Sequence, residues 1–269
     1  MEVITGSTNV EVMLRMYDAV RRGNQCETRG TLSREIRDVG VVFHDTAQPP
    51  LTSFRARKFN LRYAKREWLW YLGADRYDDS IEKYATMWQK LKQDDGSFNS
   101  NYGQYIFAEG QFDYVHRTLL MDPDSRRASI VLLKSEHLYE ANIDVVCTYA
   151  INFSIRARRL HMTVMMRSND VIFGFTNDSF CFWNLMEFMY QLLSVKYPDL
   201  RRGTYTHFVN SLHVYERHFD MIDEIVTEGE YGYKSIQVPL PDHQEVSQLV
   251  LSKGRYAEGE YYSWLTSDQ

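Results

Sequence analysis

Cys147 is the residue in this 269-residue chain whose type is best suited to covalent chemistry, and it lies in the run Asp144-Val145-Val146-Cys147-Thr148-Tyr149, which reads as the interior of a strand. A cysteine in a strand is commonly a small buried hydrophobe; it becomes a nucleophile where positive charge or hydrogen-bond donors stabilise the thiolate. Arg126-Arg127 and Arg167-Ser168 could supply that charge. Both also suit a phosphate, because guanidinium forks match phosphate oxygens and a serine hydroxyl adds a neutral donor. Arginine pairs on a surface are more often simply solvated. Arg29, in Thr28-Arg29-Gly30-Thr31, could join them, and with no Gly-rich phosphate loop in the chain a monophosphate fits better than a triphosphate. Glu67 stands beside Trp68, Leu69 and Trp70; in an aromatic pocket its pKa would rise into the range of proton transfer, whereas on a wet helix face it would be inert. Asp170 and Asp178 lie in the stretch Arg167-Ser168-Asn169-Asp170 through Thr176-Asn177-Asp178; either could cap a helix, and Asp178 is the natural cap for one starting near Trp183. Trp88 and Tyr102 read as core aromatics. Cys26 and Cys181 have no comparable setting, and no Cys/His spacing suits a metal. Taken one at a time, each of these residues is explained by burial, capping or solvation.

The elements that must position them follow from apolar spacing. Val10, Met13, Leu14, Tyr17 and Val20 mark an N-terminal helix stopped by Gly23, and Val39 to Phe43 a short strand. Two helical stretches span Tyr63 to Leu91 with a break at Gly73, and another runs from Phe112 to Leu120 ahead of Asp122-Pro123-Asp124. Ala128 to Leu133, Ile143 to Ile155 and Leu160 to Met166 are strand-like, the last two joined as a hairpin by Arg156-Ala157-Arg158-Arg159. A buried helix is expected from Trp183 to Val195, a strand from Thr204 to Val214 and a helix from Tyr215 to Val226, after which the pattern weakens. Strands and helices are intermixed without a linker, and their order does not alternate cleanly enough for a doubly wound parallel sheet, so residues 1–269 read as a single mixed α/β domain.

Composition narrows the function classes. With 31 Lys+Arg against 36 Asp+Glu, the net charge of −5 argues against a general nucleic-acid binder. No stretch is long and apolar enough to span a membrane, the first residues lack a signal-peptide pattern, and three cysteines are too few for a disulfide framework, so a cytoplasmic setting is expected.

Together the motifs point further. Cys147, then Arg167-Ser168-Asn169-Asp170-Val171-Ile172-Phe173-Gly174-Phe175-Thr176-Asn177-Asp178, then Ser211-Leu212-His213-Val214-Tyr215, preceded by Asn101-Tyr102-Gly103 and Asp122-Pro123-Asp124-Ser125-Arg126-Arg127, resemble the thymidylate synthase superfamily in order and spacing. The resemblance implies a thymidylate synthase-like fold, with a large mixed sheet flanked by helices and a homodimer formed through the sheet. It makes Cys147 the nucleophile that adds to C6 of a pyrimidine nucleoside monophosphate, with 5,10-methylenetetrahydrofolate as co-substrate. Arg167, Ser168 and Arg29, together with Arg126 and Arg127 from across the dimer, would hold the 5′-phosphate. His213 and Tyr215 match the ribose-contacting pair; Glu67 and Tyr102 match positions for ordered water and proton transfer, and Trp88 and Asp170 positions for the folate.

Departures from the synthase pattern decide the branch. Val146-Cys147-Thr148 stands where synthases carry Pro-Cys-His, and Thr176-Asn177-Asp178 where they carry Pro-Phe-Asn, so Asp178 replaces the base-reading Asn. Uracil offers an N3–H donor and an O4 acceptor; cytosine offers an N3 acceptor and an N4 donor, which a carboxyl group complements. The sequence therefore resembles the cytidylate hydroxymethylases, in which water captures the exocyclic methylene intermediate; the resemblance implies ordered water near Glu67 and Asp178 as the source of the hydroxyl. Lys134 stands where an Arg is associated with the deoxycytidylate enzymes and bears on the choice between CMP and dCMP. The alternatives are a thymidylate synthase or uridylate hydroxymethylase with an unusual base-reading loop, and a catalytically silent member of the fold that acts as a binding protein.

Overall fold

Thr8 opens the first helix, α1 (Asn9–Arg21), by accepting the backbone N–H of Glu11 at 3.2 Å. Its buried stripe is Val12, Met13, Met16, Tyr17 and Val20, turned slightly from the spacing read in the sequence, which left Val10 and Leu14 half-buried. The computed structural model describes residues 2–28, 30–139 and 141–267; Arg29 lies outside the described residues. Residues cluster into two units that interleave along the chain. One comprises the chain up to Phe59, Met162–Trp183 and Arg202–Val238; the other comprises Asn60–His161, Asn184–Arg201 and the chain from Pro239.

The first unit is built on β1 (Glu2–Ile4), β2 (Asn24–Thr28), β3 (Thr31–Phe43), β7 (Arg159–Asp170) and β8 (Arg201–Tyr215). β1 pairs parallel with β3, whereas β2 and β8 pair antiparallel with it, and β7 lies beside β8, so the sheet is mixed. The strand expected at Val39–Phe43 is the end of the much longer β3. Its partner β8 also extends the expected Thr204–Val214 strand at both ends. A separate small ladder pairs β4 (Thr52–Phe54) with β9 (Tyr233–Ser235), and α6 (Phe219–Glu228) follows a single turn of tighter helix at Glu216–His218. The helix α5 (Gly174–Ser194) begins here, well ahead of Trp183.

In the second unit α2 (Leu61–Gly73) is capped by Asn60, which accepts from Tyr63 N–H at 3.0 Å, and ends where Ala74 turns left-handed. Burial reaches nearly all round it, including Glu67, Trp68, Trp70 and Tyr71. The second stretch read from the sequence is a turn of tighter helix at Ser80–Lys83 followed by α3 (Met87–Leu91). After α4 (Gln111–Met121), β5 (Ser129–Val131) pairs antiparallel with β6 (Thr148–Arg156). The turn at Ala157 and Arg158, both with positive φ, leads from β6 into β7, as a two-residue hairpin requires. The residues from Ile143 to Cys147 are not strand, a correction to the sequence reading with a cause described below. Two helices not anticipated, α7 (His243–Leu251) and α8 (Glu260–Thr266), complete the unit. No helix among the described residues is long and apolar enough to cross a membrane.

Candidate active site

Cys147 sits in a bend directly before β6 and is half-buried. Three residues earlier, the Asp144 carboxylate accepts from Ser100 N–H at 2.7 Å and Ser100 Oγ at 2.8 Å, while Asn99 Nδ2 donates to the Asp144 carbonyl at 2.9 Å. These bonds satisfy the backbone and side chain of the run before Cys147 from a loop instead of a ladder, which is why that apolar stretch stays out of the sheet. They also tie the cysteine segment to the Asn101-Tyr102-Gly103 motif. Tyr102 is buried, its ring 5.4 Å from Tyr71 on α2. Gly103 is required: a Cβ there would lie 1.7 Å from the Tyr71 carbonyl oxygen, so only glycine lets the two backbones meet.

Glu67 is buried on α2 and accepts from Tyr63 Oη at 2.9 Å; Trp88 Nε1 donates to the same hydroxyl at 3.0 Å. A buried carboxylate costs several kcal/mol without hydrogen bonds, and Tyr63, one turn earlier on the helix, supplies one. The relay Trp88–Tyr63–Glu67 thus links two residues expected at the site through a third that was not singled out in the sequence, although its position four residues before Glu67 marks it. The indole of Trp88 is fixed further by Trp70, 4.9 Å away.

Arg126 and Arg127 are exposed on the loop after α4, where Ser125 Oγ accepts from Arg127 N–H at 3.3 Å; neither forms an ion pair among the described residues. Lys134 is already engaged, its Nζ 2.5 and 2.6 Å from the two Glu109 carboxylate oxygens.

In the first unit the remaining candidates gather at the end of β7. Side chains alternate along β7 up to Met166, then the alternation slips: Arg167 and Ser168 both keep accessible surface and Asn169 turns inward. The Asp170 carboxylate accepts the backbone N–H groups of Ile172, Phe173 and Gly174 at 3.3, 3.0 and 3.5 Å. Asp170, not Asp178, therefore serves the start of α5, and the helix-cap reading of Asp178 is corrected: it lies in the second turn of that helix. Val171 N–H donates to the His213 carbonyl at 2.9 Å, joining this turn to the end of β8, where the rings of His213 and Tyr215 lie 4.8 Å apart. Loss of water around its carboxyl lifts the Asp178 pKa to about 7, with Asp170 adding to the rise and a hydrogen bond from Asn169 opposing it, although part of the residue's surface stays accessible. Near neutrality this group both accepts and donates hydrogen bonds.

A sequence profile described as "Thymidylate synthase" matches residues 14–253. The chain is 32% identical over 181 residues to the deoxycytidylate 5-hydroxymethyltransferase of Enterobacteria phage T6, with 64% of this chain and 74% of that protein covered. The enzyme of the same description from Enterobacteria phage T4 is 32% identical over 188 residues, with the same shares of 64% and 74%. Thymidylate synthase 1 of Bacillus subtilis (strain 168) is 24% identical over 207 residues, covering 74% of this chain and 70% of that one. A solved thermostable thymidylate synthase A from Bacillus subtilis has the same fold, with a TM-score of 0.66 at 22% identity over 80% of this chain and 84% of that chain. A large mixed sheet with flanking helices and these motifs in order define a nucleotide-modifying enzyme of one fold. The chain belongs to the thymidylate synthase family, which acts on pyrimidine nucleoside monophosphates with methylenetetrahydrofolate as co-substrate.

Proposed function

We propose that the protein is a cytidylate 5-hydroxymethylase that converts CMP, dCMP or both to the 5-hydroxymethyl nucleotide, with Asp178 as the residue that reads the base. One observation carries this: a carboxyl stands where the synthases have an amide, and its pKa of about 7 lets it donate to cytosine N3 while accepting from N4. The 32% identity to phage deoxycytidylate 5-hydroxymethyltransferases supports the same branch.

The Cys147 thiolate adds to C6, which makes C5 nucleophilic. Methylenetetrahydrofolate supplies a one-carbon unit at the oxidation level of formaldehyde. C5 takes up that carbon, loses its proton, and tetrahydrofolate leaves, giving an exocyclic methylene. Water adds to the methylene and the thiolate departs, so nucleotide, methylenetetrahydrofolate and water yield hydroxymethyl nucleotide and tetrahydrofolate. Glu67 and Asp178 hold the attacking water and Tyr102 takes part in the proton transfers. The groups available suit the folate: the Asp170 oxygens receive backbone N–H groups at 3.0–3.5 Å and keep lone pairs for a pterin amide and amine, and Trp88 has its indole N–H already bonded and its ring fixed. Arg167 and Ser168 hold the 5′-phosphate, with Arg29 a further candidate. His213 and Tyr215 hold the ribose, and Lys134 bears on the 2′ position. Arg126 and Arg127 reach the phosphate across a homodimer formed through the sheet; their exposure, with no ion pair among the described residues, suits that role. Residues 1–269 act as one catalytic domain, in the cytoplasm, with no nucleic-acid or membrane partner.

Asp178→Asn tests the assignment. The variant is expected to lose cytidylate turnover and gain uridylate turnover, moving the ratio of kcat/KM values by about 10- to 100-fold. An unchanged ratio removes Asp178 from base reading.

A further inference from the structure

The carboxylate of Asp144 joins two segments that the proposed chemistry needs together, and no step of that chemistry uses it. Asp144 is 4% exposed and stands three residues before Cys147. Its Oδ2 accepts from Ser100 N–H at 2.7 Å and its Oδ1 from Ser100 Oγ at 2.8 Å, so both oxygens close on one residue, two before Tyr102. The backbone is tied as well: Asn99 Nδ2 donates to the Asp144 carbonyl at 2.9 Å and to Asn142 Oδ1 at 3.1 Å. Arg76 orients that amide, its Nη2 donating to Asn99 Oδ1 at 3.3 Å and to Ser97 Oγ at 2.8 Å. The donor and acceptor roles here are unambiguous, because a guanidinium only donates and a backbone carbonyl only accepts.

On the other side of Cys147 the chain is held by the sheet. Thr148 is the first residue of β6, and the Tyr149 carbonyl accepts from Leu132 N–H at 2.9 Å. The nucleophile therefore lies between two fixed points, the Asp144 clamp and the start of β6, with Val146 fully buried between them. Apart from the acid, the run Ile143-Asp144-Val145-Val146 is β-branched, and such residues favour extended strand. An apolar residue at position 144 would fill the same place without taking a charge out of water. What the acid yields in return is a fixed relation between the Cys147 segment and the Tyr102 segment.

We propose that Asp144 is a positioning residue: bonded to Ser100 and supported by Asn99 and Arg76, it fixes the Cys147 thiol relative to Tyr102, so that thiolate addition and proton transfer meet at one nucleotide. The proposal rests on Cys147 being the nucleophile and Tyr102 serving the proton transfers. Asp144 acts only through these two segments.

The test compares Asp144→Val, Asp144→Asn and Ser100→Ala in the full chain by kcat, by KM for nucleotide and for methylenetetrahydrofolate, and by the rate at which iodoacetamide alkylates each cysteine, read by peptide mass. Asp144→Val is expected to lower kcat about 100-fold, with both KM values within about twofold of the parent. Its Cys147 is expected to react about tenfold more slowly, drawn toward the strand, while Cys26 keeps its parental rate and the buried Cys181 stays protected. Asparagine can accept from Ser100 N–H and donate to Ser100 Oγ, so Asp144→Asn is expected to keep kcat within about threefold of the parent. A general loosening of the core would instead raise both KM values together and expose Cys181. If Asp144→Val does not fold, Ser100→Ala, which removes one oxygen, decides alone, with kcat and Cys147 alkylation each expected to fall about threefold at unchanged KM. In the deciding variant, a parental kcat, a parental rate of Cys147 alkylation, or a joint rise in KM values with Cys181 exposed overturns the proposal. So does an Asp144→Asn variant as impaired as Asp144→Val. If Cys147→Ser turns nucleotide over, the reading of Cys147 as nucleophile fails first and this proposal with it; if Cys147→Ser is inactive and Asp144→Val is unimpaired, only this proposal fails.

Discussion

Asp178 ionises near 3.8 in a free carboxyl's surroundings and at about 7 in the folded protein, because the protein strips water from it and Asp170 stands nearby. A raised carboxyl pKa means that the native state holds the extra proton. The stability it contributes is therefore full below about pH 4 and is lost as pH rises toward 7. Asp178→Asn abolishes that dependence. Urea denaturation at pH 5 and pH 8 is expected to show the variant gaining on the parent by on the order of 1–3 kcal/mol at the higher pH; an equal difference at both would mean the carboxyl is not perturbed. Asp178 stands out in the sequence through the resemblance, which sets a carboxyl where synthases carry an amide. Its environment does not: Asn169, His207 and Tyr205 are brought together by β7 and β8, and no spacing along the chain marks a histidine that burial keeps neutral. Tyr63 was within reach, lying one turn from Glu67 on the same helix.

At the scale of elements, the motif Asn101-Tyr102-Gly103 depends on a close approach of backbones. Gly103→Ala would force a methyl to 1.7 Å from the Tyr71 carbonyl oxygen, so the loop or α2 must move. We expect a loss of about 3 kcal/mol or more in chemical denaturation, together with loss of activity, since α2 also carries Glu67; a fully stable variant would contradict the packing described. Periodicity found the elements with strong internal signals, such as α1, α4 and the hairpin turn at Ala157-Arg158. It failed where side chains redirect the backbone. The apolar run Ile143–Cys147 resembles a strand, but Ser100 and Asn99 hold Asp144 in a loop. The start of α5 was hidden because Asp178, ahead of the apolar run from Trp183, is the more natural of the two cap candidates, whereas it is Asp170 that binds the backbone N–H groups ahead of the helix. The helices α7 and α8 are short, and α7 is signalled chiefly by Asp242, whose carboxylate accepts from Gln244 and Glu245 N–H at 2.9 Å.

For the whole molecule, the family and its fold were legible in the order of motifs, and the profile match over residues 14–253 and the TM-score of 0.66 agree with that reading. The proposed exchange of Arg126 and Arg127 across a homodimer has a direct consequence. Cys147→Ala and Arg126→Glu should each be inactive, yet mixing them under conditions that re-form dimers should restore about a quarter of the parental activity, because half of the dimers then carry one intact site of two. Mixtures that stay inactive would place the arginines in their own subunit's site or outside it. The claim that unites residue, element and molecule is the identity of the reaction, and one measurement addresses it most directly: incubation of the protein with methylenetetrahydrofolate and, in turn, CMP, dCMP and dUMP, followed by mass spectrometry of the nucleotide. A cytidylate is expected to gain one CH₂O; a methyl gained by dUMP, or no change in any of the three, would contradict the hydroxymethylase reaction.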